Sequence, residues 1–243
     1  MTRAEAQSFD RVAEDYNRLG DLDRNELIGP WLEGLLPAAG GRALDLGCGT
    51  GRHAVLLADR FGQVDAIDLS GPMIELARQR RLRPNITYWQ ADLHDVNGAG
   101  HYDFVLSVLT LHHVPDLHAA LSHIKTVLAP GGRAVLTCWE STGQDGERLP
   151  DRLRRVDLGA GLAAADFDNI QVRDRPGWRA CERAMWEEAA ELGPGDDPAL
   201  QAFHDEGVRS LKVFGLVRRV IATATAPFGR NHPGPGQGRA RRP

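Results

Sequence analysis

The sequence predicts an α/β fold, a doubly wound and mostly parallel sheet, on three observations. An apolar lead, Arg42-Ala43-Leu44, runs into the glycine-rich segment Asp45–His53 and then into a helical-looking stretch, Ala54–Arg60. That is strand, tight turn, helix, the opening of a doubly wound nucleotide-binding sheet. Two further short apolar runs end on acids, Asp68 and Asp92. Beyond them, strand-like and helix-like segments alternate to the end of the chain.

The elements follow in order. Residues 4–19 read as a helix, with Phe9, Val12, Ala13 and Tyr16 at helical spacing. A second helix covers Glu26–Leu36 and is stopped by Pro37 and the Gly40-Gly41 pair. Strands are expected at Ala43–Leu46, Val64–Asp68, Thr87–Ala91, Tyr102–Val108, Arg133–Cys138, Ile170–Arg173 and Val217–Thr225. Helices are expected near 52–60, 71–81, 117–128 and 158–166. Gln144–Asp157 is polar and rich in turn formers, so it reads as a mobile loop. Between strands six and seven lie two helical stretches, Ala180–Leu192 and Pro198–Phe214. An insertion there emerges on the rim where open α/β sheets bind ligands. Residues 179–214, with the N-terminal helices of 1–37, therefore read as a substrate lid; the alternative is a scaffold pair covering the sheet edge. The expected organisation is one domain over 1–228, with a cofactor-binding core at 42–140. The remaining 229–243 is Gly, Pro and Arg with little to bury, and is expected to be disordered.

A chain of 243 residues can bury a full core as a single α/β domain. The formal net charge of −4 and the lack of a basic stripe argue against nucleic acid as a partner. Cys48, Cys138 and Cys181 have no metal or C-x-x-C spacing, so no metal is expected and the setting reads as reducing and cytoplasmic. No leader and no membrane-length apolar run is visible, so no membrane partner is expected. Lys125 and Lys212 stand against 27 arginines, a coding bias of high-GC bacteria.

The glycine turn decides the ligand. A dinucleotide fingerprint is G-x-G-x-x-G, which sets a pyrophosphate against bare backbone. Here Gly47, Gly49 and Gly51 form G-x-G-x-G, and Arg52 follows. Asp45, two residues ahead, would repel a pyrophosphate and suit an ammonium or sulfonium. Asp68 stands where a ribose-binding acid belongs, and Asp92 ends a third strand. Three acids on successive strand ends describe a cationic nucleoside with a free ribose, which is S-adenosylmethionine.

These residues resemble the class I S-adenosylmethionine-dependent methyltransferases of the small-molecule branch. The resemblance covers Phe9–Leu136, more loosely to Ala226. It rests on LDLGCGTGRH from Leu44, AIDLS ending at Ser70, QADLHD from Gln90, YDFVLSVLTLHHV from Tyr102 and LAPGGRAVLT from Leu128. It implies a seven-stranded Rossmann-like methyltransferase sheet with the last strand antiparallel. The cofactor site it implies draws on Tyr16, Asp45, Gly47, Cys48, Gly49, Thr50, Gly51 and His53 around the turn. Asp68 would take the ribose hydroxyls, since a carboxylate offers two oxygens to a diol. Leu69 and Met73 would hold the adenine, with Ala91, Asp92 and the Leu93 N–H on its edge. The carbonyls of Gly47 and Ser107 would meet the methionine ammonium.

Methyl transfer asks mainly for alignment and exclusion of water. A base is needed only for a protonated, weakly acidic nucleophile. His112 and His113, just beyond the fourth strand, are the candidates. Phe9, Tyr16, Trp139, Glu140, Trp178 and Trp186 are the candidate acceptor-binding residues, because Trp139 and Trp178 are expected to end strands five and six. An aromatic wall suits a flat acceptor, aromatic or heteroaromatic. The expectation is therefore methyl transfer to a small organic acceptor in bacterial specialised metabolism, by a monomer or homodimer. The alternatives are an RNA or protein methyltransferase, or a non-catalytic cofactor-binding partner subunit.

Overall fold

The computed structural model describes residues 32–143, 148–191, 193 and 198–228. Phe9, Tyr16, the first helix, most of the second and the 229–243 tail lie outside the described residues. Seven strands form one sheet: β1 Gly40–Leu46, β2 Phe61–Asp68, β3 Ile86–Gln90, β4 Tyr102–Val108, β5 Leu128–Ser141, β6 Asp168–Asp174 and β7 Val217–Thr225. Their order is β3-β2-β1-β4-β5-β7-β6. All pairs from β3 to β5 are parallel, and β7 is antiparallel to both neighbours. The helices are α1 Arg52–Ala58, α2 Gly71–Arg80, α3 Leu117–Val127, α4 Asp151–Arg154, α5 Leu158–Ala164, α6 Pro176–Glu191 and α7 Pro198–Phe214.

Successive strand residues point to opposite faces, so two cores form. Leu44, Leu46, Val105 and Leu136 pack on one face against Leu121 and Ile124 of α3 and Leu158 and Leu162 of α5. Ala43, Val64, Phe104 and Leu106 pack on the other against Leu57 of α1 and Ile74 of α2. β5 starts earlier than expected, because Leu128 already pairs with Tyr102 before the register slips and Arg133 meets Phe104.

Two expectations are corrected. Gln144–Asp157 is not a free loop throughout. Leu149, Leu153 and Val156 are buried, and Leu149 and Leu153 pack with Val217. Their spacing of four and three residues is helical, and the surrounding arginines and turn formers obscured it. Asp157 closes the segment by accepting the Ala160 N–H at 2.9 Å as the cap of α5. Trp178 does not end strand six either. β6 stops at Asp174, and Pro176 opens α6, as proline suits a first helical turn. Trp178 is then buried against the sheet with Ile221.

The α6–α7 pair is firmly built. Trp186, Ala189 and Phe214 form a small core between the helices, with Phe203 and Leu211 against it. Gly207 permits the close crossing: a Cβ there would lie 2.9 Å from the Ala189 Cβ and 3.0 Å from the Trp186 carbonyl oxygen. A buried ion pair ties α6 to the sheet, Arg219 of β7 donating to Glu182 at 2.5 Å. The Arg219 guanidinium lies 5.5 Å over the Trp139 ring.

Candidate cofactor cleft

A cleft of about 730 Å³, open to solvent, lies beyond the carboxyl ends of β1, β2, β3 and β4. β1 is where the strand order reverses, the place open α/β sheets bind ligands. Leu46, Gly47, Gly49, Asp68, Leu69, Met73, Ala91, Asp92, Leu93 and His113 are all in its lining. Residues read from separate motifs thus meet in one place.

The floor is the turn after β1. The N–H groups of Gly47 and Cys48 both donate to the Ile67 carbonyl at 2.9 Å, which lashes the turn to β2. Gly47 and Gly49 have φ of +73° and +53°, the left-handed region that favours glycine. A Cβ at Gly47 would strike the Thr110 side chain at 2.1 Å. At Gly49 a Cβ would meet nothing within 4 Å, so the backbone there lies bare. Such a floor suits a ligand that must approach the main chain.

Asp68 is held at both oxygens by backbone: Gly49 N–H donates to Oδ2 at 2.8 Å and Ser70 N–H to Oδ1 at 2.9 Å. A carboxylate held this way presents two oxygens, the acceptor pattern that a vicinal diol matches. Ser70 caps α2 by accepting from the Met73 N–H at 3.3 Å, which sets Met73 against the cleft. Asp92 lies two residues past β3 rather than at its end, and accepts from the His94 N–H at 3.0 Å to start the turn Leu93–Asp95.

Asp45 sits directly beneath, 1% exposed, and its Oδ2 has no hydrogen-bond partner among the described residues. Burial, then the charge of Asp68, pushes its carboxyl up to about 8. A buried carboxyl oxygen without a partner is the group an ammonium would satisfy. His53 Nε2 likewise has no hydrogen-bond partner among the described residues. Burial, then the charges of Arg52 and Arg81, lowers its imidazole to about 4, so it is neutral at pH 7.

The structure separates the histidines. His113 lines the cleft; His112 does not. Their rings are 4.0 Å apart. His112 Nδ1 lies 3.6 Å from the Cys138 thiol. Burial raises that thiol to about 12, so it stays protonated beside the ring at neutral pH. Burial, then His113, Arg152 and Arg219, holds His112 well below the ordinary imidazole value. Sequence reasoning missed Val108, Leu109, Thr110 and Val114, which also line the cleft. Leu109 has φ of +56°, a conformation unusual outside glycine and often met at functional sites. Their signal was position alone, immediately past strand four.

Other expected site residues stand elsewhere among the described elements. The Ser107 hydroxyl is fully buried and donates to the Leu46 carbonyl at 3.0 Å, tying β4 to β1. Cys48 packs into a core, the Thr50 carbonyl accepts from Arg81 at 2.8 Å, and Gly51 abuts the Tyr88 ring. Trp139 packs edge-on to Phe214, 5.4 Å between centroids. Trp178 of α6 is buried against the sheet and Trp186 between α6 and α7. Glu140 is 2% exposed; it accepts from the Leu158 N–H at 2.7 Å and from Arg218 at 2.9 Å. Both oxygens serve the fold, so Glu140 anchors α5 and β7 and does not line the cleft. Among the described residues no cluster of three or more His, Cys, Asp or Glu could hold a metal. No helix there is long and apolar enough to cross a membrane.

Known proteins agree with this geometry. A family profile described as a methyltransferase domain matches residues 43–132. An uncharacterized methyltransferase of Mycobacterium tuberculosis is 36% identical over 109 residues, 44% of this chain and 55% of that protein. The chain thus spans about half the length of that relative. A malonyl-(acyl-carrier protein) O-methyltransferase of Serratia marcescens is 33% identical over 215 residues, 88% of this chain and 78% of that protein. Among solved structures, the (4+2)-cyclase SpnF shares the fold with a TM-score of 0.75 at 23% identity, over 92% of this chain and 95% of that one. Geranyl diphosphate C-methyltransferase of Streptomyces coelicolor, solved with S-adenosyl-L-homocysteine, does so at 0.63 and 19%, over 83% of this chain and 80% of that one. With the glycine-floored cleft, the acids at or just past successive strand ends and a relative matched over most of both lengths, the chain belongs to the class I S-adenosylmethionine-dependent methyltransferases.

Proposed function

We propose that this protein moves a methyl group from S-adenosylmethionine to a small organic acceptor. The observation that carries this is the meeting of Asp68, Asp92 and the bare backbone of Gly49 in one cleft. When bound, the cofactor supplies an electrophilic methyl on a positive sulfur. Asp68 accepts from the ribose hydroxyls, and Asp92 with the Leu93 N–H reads the adenine edge. Leu69 and Met73 hold its faces, and Asp45 meets the charge of the ammonium. Ser107, Cys48, Thr50, Gly51 and His53 shape the walls from behind. The malonyl and ubiquinone O-methyltransferases among its relatives favour a small acceptor. A place in bacterial specialised metabolism is proposed from the presence of the α6–α7 insert between β6 and β7. Phe9 and Tyr16 remain proposed contacts on that side.

His113 is the residue proposed to face the acceptor. His112, held by Cys138, is a positioning residue that fixes it. If the nucleophile must lose a proton, His113→Ala lowers kcat by about 10²–10⁴-fold with cofactor affinity unchanged. If the acceptor attacks with its own electrons, the loss stays near tenfold and reports only lost alignment. Calorimetry with S-adenosylhomocysteine and NAD tests the reading itself: binding of the first and not the second is expected, and the reverse overturns it.

A further inference from the structure

The glycine turn and the fourth strand meet at one side chain. β1 and β4 are parallel neighbours, so Gly47 and Thr110, just past their ends, face each other where the strand order reverses. The Thr110 hydroxyl donates to the Gly47 carbonyl at 3.3 Å and also lies 3.2 Å from the Val108 carbonyl. We propose that Thr110 is a positioning residue for the cofactor: its hydroxyl holds the Gly47 carbonyl towards the ammonium of S-adenosylmethionine. The inference rests on the methyl-transfer reading and concerns the methionine end of its cofactor.

Local structure aims Thr110 at this place. Val108, Leu109 and Thr110 are consecutive, yet all three line the cleft. An extended strand would send alternate residues to opposite faces. The left-handed φ of +56° at Leu109 breaks that alternation. The Leu109 N–H is fixed to Thr137 of β5, 3.1 Å from its carbonyl and 3.2 Å from its Oγ1. Thr110 then stands just ahead of the helical turn Leu111–His113, where a threonine hydroxyl ordinarily caps the first N–H groups. It makes no such bond; the hydroxyl is turned to the glycine floor instead. The fit is close, since a Cβ at Gly47 would lie 2.1 Å from Thr110 Oγ1 and 2.3 Å from its Cγ2.

The peptide between Gly47 and Cys48 is planar, so holding its two ends sets its tilt. At one end the Cys48 N–H donates to the Ile67 carbonyl at 2.9 Å. At the other end Thr110 holds the Gly47 oxygen. A carbonyl oxygen has two lone pairs, so a bond from Thr110 leaves it able to accept from an ammonium as well. Without the hydroxyl, the carbonyl end must be ordered when the cofactor binds, and that ordering costs affinity. The Thr110 carbonyl accepts from the His113 N–H at 2.9 Å. One residue therefore joins the floor beneath the cofactor to the turn that carries the acceptor-side histidine, which serves the alignment that methyl transfer needs.

The test measures, by calorimetry on the full chain, affinity for S-adenosylhomocysteine and for its analogue with hydrogen in place of the α-amino group. The analogue keeps the adenine, ribose, thioether and carboxylate. T110V replaces the hydroxyl by a methyl of similar size and should weaken S-adenosylhomocysteine binding by about three- to tenfold, the worth of one hydrogen bond. Its affinity for the analogue should stay within about twofold of the wild type, because the lost bond then has no ammonium to serve. T110S restores the hydroxyl and should bind both ligands as the wild type does. T126V removes an exposed threonine hydroxyl of α3 and should change neither affinity. If T110V does not fold, T110A takes its place with the same pattern expected. Unchanged S-adenosylhomocysteine affinity on loss of the hydroxyl, equal loss of both ligands, or a T110S no better than T110V overturns the proposal. Failure of the wild type to bind S-adenosylhomocysteine overturns the methyl-transfer reading itself, and the role of Thr110 with it.

Discussion

Asp68 accepts from the backbone N–H groups of Gly49 and Ser70. Asp68→Ala would therefore remove both the proposed ribose contact and a brace of the glycine turn. Its affinity for S-adenosylhomocysteine should fall by about 1.5–3 kcal/mol, read by calorimetry; an unchanged constant would remove Asp68 from the ribose site. Asp45 gives a pH signature. Its carboxyl is raised from 3.8 to about 8 in the folded chain. The fold then holds a proton that the unfolded chain releases, so this group lowers stability as pH rises between those values. His53 acts oppositely, because its folded value of about 4 lies below 6.5. It costs stability as pH falls from 6.5 towards 4. Between pH 6.5 and 8 Asp45 acts without that opposition. The cofactor-free chain should lose urea resistance across that interval, and Asp45→Asn should flatten the loss. A wild-type midpoint that is level or rising there would show that Asp45 is already ionised.

At the scale of elements, the α6–α7 pair is the part whose role the pattern alone left open. Its helical periodicity announced two helices on the ligand rim, and the choice between lid and scaffold depended on what they bury. No described residue of the pair lines the cofactor cleft, while Glu182 and Arg219 join α6 to β7 in the interior. Glu182→Ala would leave the Arg219 charge buried without its carboxylate, at about 3–5 kcal/mol of unfolding free energy. Gly207→Ala sets two effects against each other. Helix propensity favours alanine by about 0.8–1.0 kcal/mol, and crowding against Ala189 and the Trp186 carbonyl costs about 1–3 kcal/mol. Crowding wins, so a lower denaturation midpoint is expected. Amide exchange in α6 should match that of β7 with and without cofactor. Fast exchange in the free chain that slows on binding would instead mark α6 as a moving lid.

For the whole molecule, the cleft joins four strand ends that are far apart in sequence, so a ligand there braces the sheet at its switch point. At one hundred times its dissociation constant, a ligand adds about 2.7 kcal/mol to the folded state. For a chain of this size that raises Tm by roughly 5–11 °C, and S-adenosylhomocysteine should do so while NAD does not. A shift produced equally by NAD would return the site to dinucleotide binding.

The sequence by itself determined the alternation of elements, the glycine turn and the acids at the strand ends. Each of these is written in a few adjacent residues: a strand's apolar run, a positive φ that needs glycine, a carboxylate at the point where the strand stops. Helix α4 escaped because Leu149, Leu153 and Val156 are three apolar positions scattered among arginines, and the burial of Leu149 and Leu153 comes from Val217 and Trp139. Only the tertiary structure decided which of two adjacent histidines meets the cleft, since Cys138 on the neighbouring strand takes one of them. Only it turned Glu140 from a rim acid into an anchor, because its partners Leu158 and Arg218 come from two other elements. The difference is physical: backbone geometry is set by near neighbours, whereas a side chain's partners are set by packing between segments the sequence keeps apart.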